Sequence, residues 1–424
     1  MENFIEFLYS KFLQSDGVST DTRTIEKGNL FFGLNGPSFR GAEYANIALE
    51  KGANFAVVDD QILAAQDERM IYAPDTLSAL QELAVFHRSK YKRVVLGLTG
   101  SNGKTTTKEL ITAVLKKNYI VHATPGNYNN HIGVPLTLLH IHPQVEMAII
   151  EMGANHVGEI AQLCEYALPT HGLITNIGHA HTEGFGGFEG VIRGKSELFD
   201  YLKRSEGEVF INLEDKVLSN MAKRFDRPHT YQTDAFNFQH SGQLTFELAG
   251  KQFKSNLVGA YNAINIAAAI EVGRRFNVSD EIIGEAIASY APDNMRSQLI
   301  QSGDIVLILD AYNANPDSMK VAIENLGCME GKRIAILGDM KELDDTELQH
   351  KKLGEIATEA EIDMVYFVGK DVRNGHKVAT RSKWFATKNE LVEHLVSHPI
   401  SNATVLIKAS RSAQLETLKS LFIK

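Results

Sequence analysis

Between residues 94 and 115 the periodicity of the chain changes within a few positions, and that change restricts the fold more than any other feature. The run VVLGLTG from Val94 is apolar and ends in glycine, and TTTKELITAVLKK then places Leu110, Val114 and Leu115 at helical spacing. The pattern predicts strand, loop, helix, with TGSNGKTT (Thr99 to Thr106) at the turn. Backbone N–H groups of such a glycine-rich turn converge on phosphate oxygens at a helix N-terminus. Gly100, Ser101, Asn102, Gly103, Lys104, Thr105 and Thr106 are therefore expected to hold ATP or GTP, with Lys104 as a point charge and the Thr105 hydroxyl on Mg²⁺. The longer Walker A form has a glycine where this chain has Leu98, so the match is to a shorter GxxGKT pattern. An ordinary glycine-rich turn is the alternative, and the order strand, Gly, Gly, Lys, Thr, helix argues against it.

The same alternation continues along the chain. AIIEMG (148 to 153), GLITNIG (172 to 178) and EVFINLED (208 to 215) read as strands of a parallel sheet that end in polar or glycine residues. IVLILDAYN (305 to 313), RIAILGDM (333 to 340), MVYFVG (364 to 369) and TVLIKASR (404 to 411) form a second series with helical stretches between them. APDNMRSQ (291 to 298) reads as a hinge. At roughly 150 residues per domain, 424 residues suggest two or three units. The expectation is an α/β chain of three domains: a small N-terminal α/β domain over 1–90, a central P-loop parallel-sheet ATPase domain over 91–294 and a C-terminal Rossmann-like domain over 295–424.

Composition narrows the class of ligand. A net charge of -9 gives no electrostatic footprint for nucleic acid, so an anionic ligand must be held locally. Cys164 and Cys328 are the two cysteines and have no CxxC spacing, which suggests neither a disulfide framework nor a thiolate metal site and points to the cytoplasm. Glu2, Glu6 and Lys11 interrupt the N-terminal apolar stretch, so neither a signal peptide nor a membrane span is expected.

TGSNGKTT resembles the loop of the Mur ligase family, ATP-dependent enzymes that join an amino acid or peptide to a carboxylate. TPGNYNNHIGVPLTLL (124 to 139), EMGANHVGEI (151 to 160), TNIGHAHTEGFG (175 to 186), KSELF (195 to 199), DAYNANPDS (310 to 318) and ILGDMKEL (336 to 343) follow in the family's order. The resemblance runs from Thr20 to the C-terminus. DAYNANPDS and TPGNYNN look like the members that add D-alanyl-D-alanine to a UDP-muramoyl tripeptide in peptidoglycan synthesis.

This resemblance implies roles residue by residue. Lys104 and Arg296 are the cations facing ATP, and Thr105, Glu151 and His181 belong to the metal sites. Mg²⁺ prefers oxygen, which makes Glu151 the better ligand and leaves His181 to act partly through water. Lys195 corresponds to a lysine carbamylated by CO₂ in similar proteins, a change that turns a cation into a metal ligand. With an ordinary pKa, about one lysine in 2,500 is neutral at pH 7, and burial raises that fraction. Without the resemblance, Lys195 reads as a surface lysine on the amphipathic helix GVIRGKSELFDYLK. Asn262 is an adenine contact or a helix N-cap, and Asp310, at the end of IVLILD, is a ribose contact or a helix-capping carboxylate. Asn313 and Asn315 are assigned to the interdomain site. Asn127 and Asn130 are contacts to the muramoyl portion, or turn-forming asparagines by spacing alone.

The uridine end is assigned to STDTRTIEKGNLFFGLNG, including Thr22 and Arg23. There the family's Asp-Ser-Arg is Asp21, Thr22, Arg23, and its Asp-Gly-His is replaced within RGAEY. KASR (408 to 411) has alanine where glycine is usual before serine. The expected activity is ATP-dependent amide formation through an acyl phosphate, with ATP and Mg²⁺ as cofactors, UDP-muramoyl tripeptide and D-alanyl-D-alanine as small-molecule partners, and a monomeric protein. The alternatives are another Mur-type amino-acid ligase and a non-catalytic, nucleotide-gated binding module.

Overall fold

The computed structural model describes residues 3–241 and 243–423; Met1, Glu2, Gly242 and Lys424 lie outside it. Val94–Thr99 lies inside a parallel sheet, and Lys104–Leu115 is the helix after the loop. The sheet runs in the order His229–Tyr231, Glu208–Asn212, His171–Ile174, Val94–Thr99, Met147–Glu151, Val121–Ala123, every pair parallel. Leu96, Leu98, Ile149, Ile150 and Leu173 are buried, as strands covered by helices on both faces require. After Val94–Thr99 the chain adds two strands on one side and then three on the other. That reversal opens a crevice beyond the carboxyl ends of the strands. GLITNIG leaves the sheet at Ile174 and EVFINLED at Asn212, earlier than their apolar runs suggest. The residues that follow Ile174 turn to bond the phosphate loop.

One sheet has no counterpart in the sequence reading. Gln239–Ser241, Gln243–Leu248 and Lys251–Val258 form an antiparallel layer. Its Leu244, Phe246, Leu248 and Leu257 pack with Ile266 and Ile270 onto the central core. The C-terminal sheet runs Gln298–Ser302, Ile305–Asp310, Ala403–Lys408, Lys332–Gly338, Met364–Val368, Ser382–Phe385. Its first strand is antiparallel to the second, the others being parallel. Gln298, read as part of the linker, instead starts that edge strand and pairs with Leu309.

The N-terminal sheet has four parallel strands, Gly17–Ser19, Asn29–Phe32, Phe55–Val58 and Met70–Tyr72. Leu30 of this sheet, with Leu8 and Leu83 of the helices Phe4–Phe12 and Thr76–Lys90, belongs to the same cluster as Val95, Ile150 and Leu163 of the central unit. Arg88, buried at the end of the helix Thr76–Lys90, donates from Nε to Ala167 O at 2.6 Å and from Nη2 to Leu168 O at 2.5 Å. The first two units are thus joined through a common apolar core. The C-terminal sheet has apolar clusters on both of its faces.

At the amino-terminal ends of the central strands, away from the phosphate loop, burial against Phe210 and Phe276 pushes the His171 imidazole down to about 4. An unfolded histidine titrates near 6.5. Between those values the unfolded chain binds a proton that the folded chain does not, so stability falls as pH drops through this window. His171→Phe is expected to lose less melting temperature than the parent between pH 6.5 and 4.5, measured by calorimetry across that range.

Candidate active site

Gly100 and Gly103 have φ of +145° and +79°, and a Cβ on either would lie 2.0 Å from Thr175 Oγ1 or 2.7 Å from Asn265 Oδ1. Both conformation and space therefore require glycine. The loop is tied to the turn after the neighbouring strand: Ser101 N donates to Asn176 O at 3.0 Å and Asn102 N to Asn176 Oδ1 at 2.9 Å. The Lys104 ammonium donates to Gly100 O at 2.7 Å and Ser101 O at 3.2 Å. Burial, with Arg296 nearby, pushes its pKa down to about 8, against the opposing charge of Glu151.

Beside this loop, Glu151 ends its strand almost fully buried. Its Oε1 accepts from Asn129 Nδ2 at 2.9 Å and from the Thr105 hydroxyl at 3.3 Å. Oε2 is buried without a hydrogen-bond partner and stands 3.6 Å from Lys108 Nζ. A buried carboxylate oxygen without a donor is a place for a cation. Among the described residues no three His, Cys, Asp or Glu side chains converge on one point. The donor set therefore fits an ion that takes most of its ligands from water and phosphate, as Mg²⁺ does, rather than one enclosed by protein.

The loop and Glu151 form one side of a cleft of about 740 Å³. Ser101, Asn102, Gly103, Lys104, Thr106 and Glu151 line it from the central sheet, with Asn127, Asn130, His181 and Asn262. Arg296, Asp310, Asn313 and Asn315 line it from the C-terminal side. Gly100, Thr105 and Lys195 are bonded to residues of the wall. Thr22 and Arg23 stand outside the cleft: Thr22 O accepts from Lys51 Nζ at 2.7 Å, and the exposed Arg23 pairs with Asp21 at 2.6 Å.

Several of these side chains have internal partners. Asn262 donates to Val258 O at 2.7 Å and accepts from Asn265 Nδ2 at 2.9 Å; it precedes the helix Ala263–Arg275 without capping it. Asn130 Oδ1 accepts from Gly133 N at 2.9 Å, the turn-forming role, at the start of the helix Gly133–Leu139. Asp310 caps no helix; Lys408 Nζ donates to it at 2.6 Å. The Arg296 guanidinium lies 3.9 Å from the centre of the Tyr312 ring, a stacked cation. Lys195 is buried, with its Nζ 3.2 Å from Ala154 O and 4.9 Å from the centre of the Phe185 ring. Desolvation and the charge of Lys104 push its pKa well below the ordinary lysine range.

The C-terminal unit meets the central one through polar contacts at this cleft. Asn315 caps its own helix, Pro316–Gly327, through Oδ1 and donates from Nδ2 to Asn102 Oδ1 at 2.8 Å. Asp317 Oδ2 accepts from His179 N at 2.6 Å. His181 Nδ1 is bonded to Glu342, and burial pulls its imidazole below the usual value against the charge of that carboxylate.

Comparison with known proteins agrees with this architecture. The Mur ligase middle domain matches residues 98–273, the Mur ligase glutamate ligase domain 295–411, and the Mur ligase family catalytic domain 14–88. The UDP-N-acetylmuramoyl-tripeptide--D-alanyl-D-alanine ligase of Bacillus subtilis (strain 168) is 35% identical over 422 residues, 95% of this chain and 92% of that one. The chain belongs to the Mur ligase family. The Escherichia coli (strain K12) Mur ligase of the same name is 34% identical, again over 95% and 92% of the two chains. Among solved Mur ligase structures, MurF from Acinetobacter baumannii superposes with a TM-score of 0.84 at 29% identity, covering 95% of this chain and 92% of that one. MurF from Thermotoga maritima in complex with ADP gives 0.82 at 25% identity, covering 97% of each.

Within this Mur ligase, sequence reasoning passed over Lys108, Asn129, Asp317, Glu342 and Lys408. All five lie inside quoted segments, so the segments were visible while the partner of each side chain was not. Lys108 follows Lys104 by one helical turn, and that spacing was its one available signal.

Proposed function

We propose that this Mur ligase couples cleavage of ATP to ADP and phosphate with amide formation between UDP-N-acetylmuramoyl tripeptide and D-alanyl-D-alanine, a step of peptidoglycan precursor synthesis. Near full-length likeness to ligases of that name supports the substrates. The observation that carries the chemistry is a single cleft combining a glycine-rich phosphate loop, two cations and a buried carboxylate oxygen with no donor. A substrate carboxylate and ATP are both anions, so a fixed cationic environment must offset their repulsion as bonding begins. Lys104 and Arg296 stand on opposite walls for that purpose, and Asp310, held by Lys408, faces the nucleotide sugar. Glu151 and Thr105 would hold Mg²⁺, with His181 and a carbamylated Lys195 completing the metal sites; the ion supplies charge neutralisation to the phosphates.

The tripeptide carboxylate, presented by the loop carrying Asn127 and Asn130, attacks the γ-phosphorus. The bond to the β,γ-bridging oxygen breaks and ADP leaves. The amine of the dipeptide then attacks the acyl phosphate, loses a proton and expels phosphate. A second cavity of about 310 Å³ adjoins the cleft, with Lys341, Arg411 and Glu342 on its wall. Both signs of charge there suit a zwitterionic dipeptide. Thr22 and Arg23 remain with the uridine end of the long acceptor, outside the cleft. Closing the C-terminal unit onto the loop excludes water from the acyl phosphate. No helix among the described residues is long and apolar enough to cross a membrane.

A coupled ADP-release assay with these substrates, the acceptor carrying ¹⁸O in its terminal carboxylate, tests the reading. ¹⁸O is expected in the released phosphate. ATP binding with no ADP formed would point to a nucleotide-gated module, and use of a single amino acid in place of the dipeptide would point to another Mur-type ligase. Asp317→Ala removes the acceptor from His179 N, a bond of about 1 kcal/mol across the closing seam. It is expected to lower kcat by roughly fivefold to tenfold and to change KM for ATP less than about twofold, measured in the same assay.

A further inference from the structure

Lys108 is fully buried on the helix Lys104–Leu115 and lies outside the wall of the cleft. A buried ammonium is unfavourable unless hydrogen bonds and opposite charge compensate it. Here its Nζ donates to Thr124 O at 2.6 Å and to Gly126 O at 3.4 Å. It also stands 3.6 Å from Glu151 Oε2 and 3.2 Å from Glu109 Oε1. Thr124 and Gly126 begin the loop that carries Asn127, Asn129 and Asn130. Further along that loop, Asn129 donates to the other oxygen of Glu151 at 2.9 Å, while its own carbonyl accepts from Gly153 N at 2.7 Å. One carboxylate is therefore gripped by the phosphate-loop helix on one side and by the asparagine loop on the other, with Lys108 hydrogen-bonded to the loop and ion-paired with its anchor.

We infer that Lys108 is a positioning residue for acyl-phosphate formation: it fixes the asparagine loop in register with the phosphate loop, so that the acceptor carboxylate and the γ-phosphate meet at bonding distance. Its partners explain why the position carries a long cation. A leucine or methionine fills the same volume but leaves the carbonyl of the buried Thr124 without its Lys108 donor and the loop free to move away from Glu151. Displacing a substrate-holding loop by about 1 Å is enough to cost up to a hundredfold in rate.

The inference rests on the reading that Asn127 and Asn130 hold the acceptor, and the experiment separates the two. Lys108→Met, Lys108→Arg and Asn127→Ala are compared with the parent by initial rates in each of the three substrates, with melting temperatures recorded alongside. Lys108→Met is expected to raise KM for UDP-muramoyl tripeptide about tenfold and to lower kcat, while KM for the dipeptide stays within about twofold. Lys108→Arg, which keeps charge and donors, is expected to lie closer to the parent. A lower melting temperature with unchanged acceptor KM, or parallel rises in all three KM values, would assign Lys108 to stability alone and overturn the inference. If Lys108→Met does not fold, Lys108→Arg and Lys108→Gln carry the same comparison, and an unchanged acceptor KM in both overturns it. An effect of Lys108→Met with none from Asn127→Ala leaves the positioning role standing and overturns the Asn127 contact; the reverse result does the opposite.

Discussion

Lys104→Met is expected to lower kcat/KM for ATP by about a thousandfold or more, with the fold intact. The half-buried ammonium lies against Gly100 O and Ser101 O on the wall of the cleft, where partial desolvation weakens the screening of its charge. Two anions must approach each other at this point, and a cation already in place stabilises the charge that develops without having to reorganise. Methionine keeps the length of the side chain and removes the charge. Because desolvation works against the replaced cation, melting temperature is expected to hold or rise, which separates loss of chemistry from loss of structure. Steady-state rates, nucleotide binding by calorimetry and thermal unfolding on one preparation check all three. A variant that retains rates within about tenfold of the parent would remove Lys104 from the phosphate site.

Lys195→Ala is expected to reduce kcat by about a thousandfold, and the parent enzyme is expected to depend on bicarbonate. Lys195 is buried beside a carbonyl and an aromatic face, with no carboxylate paired to it among the described residues. A permanent ammonium there would repel both Lys104 and a metal ion. Desolvation instead favours the neutral amine, whose lone pair can add to CO₂; an N–C bond forms, the nitrogen proton is released, and the product is an anionic carbamate. Carbamylation would exchange an unfavourable cation for an oxygen ligand. Labelled bicarbonate should yield a carbamate carbon signal that Lys195→Ala lacks. Full activity of that variant at every bicarbonate concentration, with no label in the parent, would leave Lys195 as a buried structural lysine.

The particular residues show how far the sequence could be read. The phosphate loop was legible because its requirements are local: a strand end, glycines at two left-handed positions, a lysine and a helix start occupy adjacent residues. Glu151 and Asp310 were legible as the polar ends of apolar strands, since parallel strands present such ends at one edge of a sheet. Asn130 shows the limit of the same method, because a turn-forming asparagine and a substrate contact have the same local pattern, and its Oδ1 in fact holds Gly133 N. The antiparallel layer over 239–258 escaped notice although Gln243–Leu248 alternates buried and more open residues, because a short alternation between helical segments is a weak signal.

By itself, then, the sequence determined the α/β class, the division into alternating strand and helix series and the position of the phosphate loop. Each depends on periodicity or on residues within one turn of each other. Tertiary structure alone decided which charged groups meet. Asn102 and Asn315 are 213 positions apart, and Glu151 finds Asn129 and Lys108 only when neighbouring strands and the loop helix pack together. A buried lysine and a solvated one look alike in a sequence, because burial is set by what distant segments place around the side chain. Lys104, Lys108, Lys195 and Lys408 acquire their separate surroundings from that packing, and with them their separate chemistry.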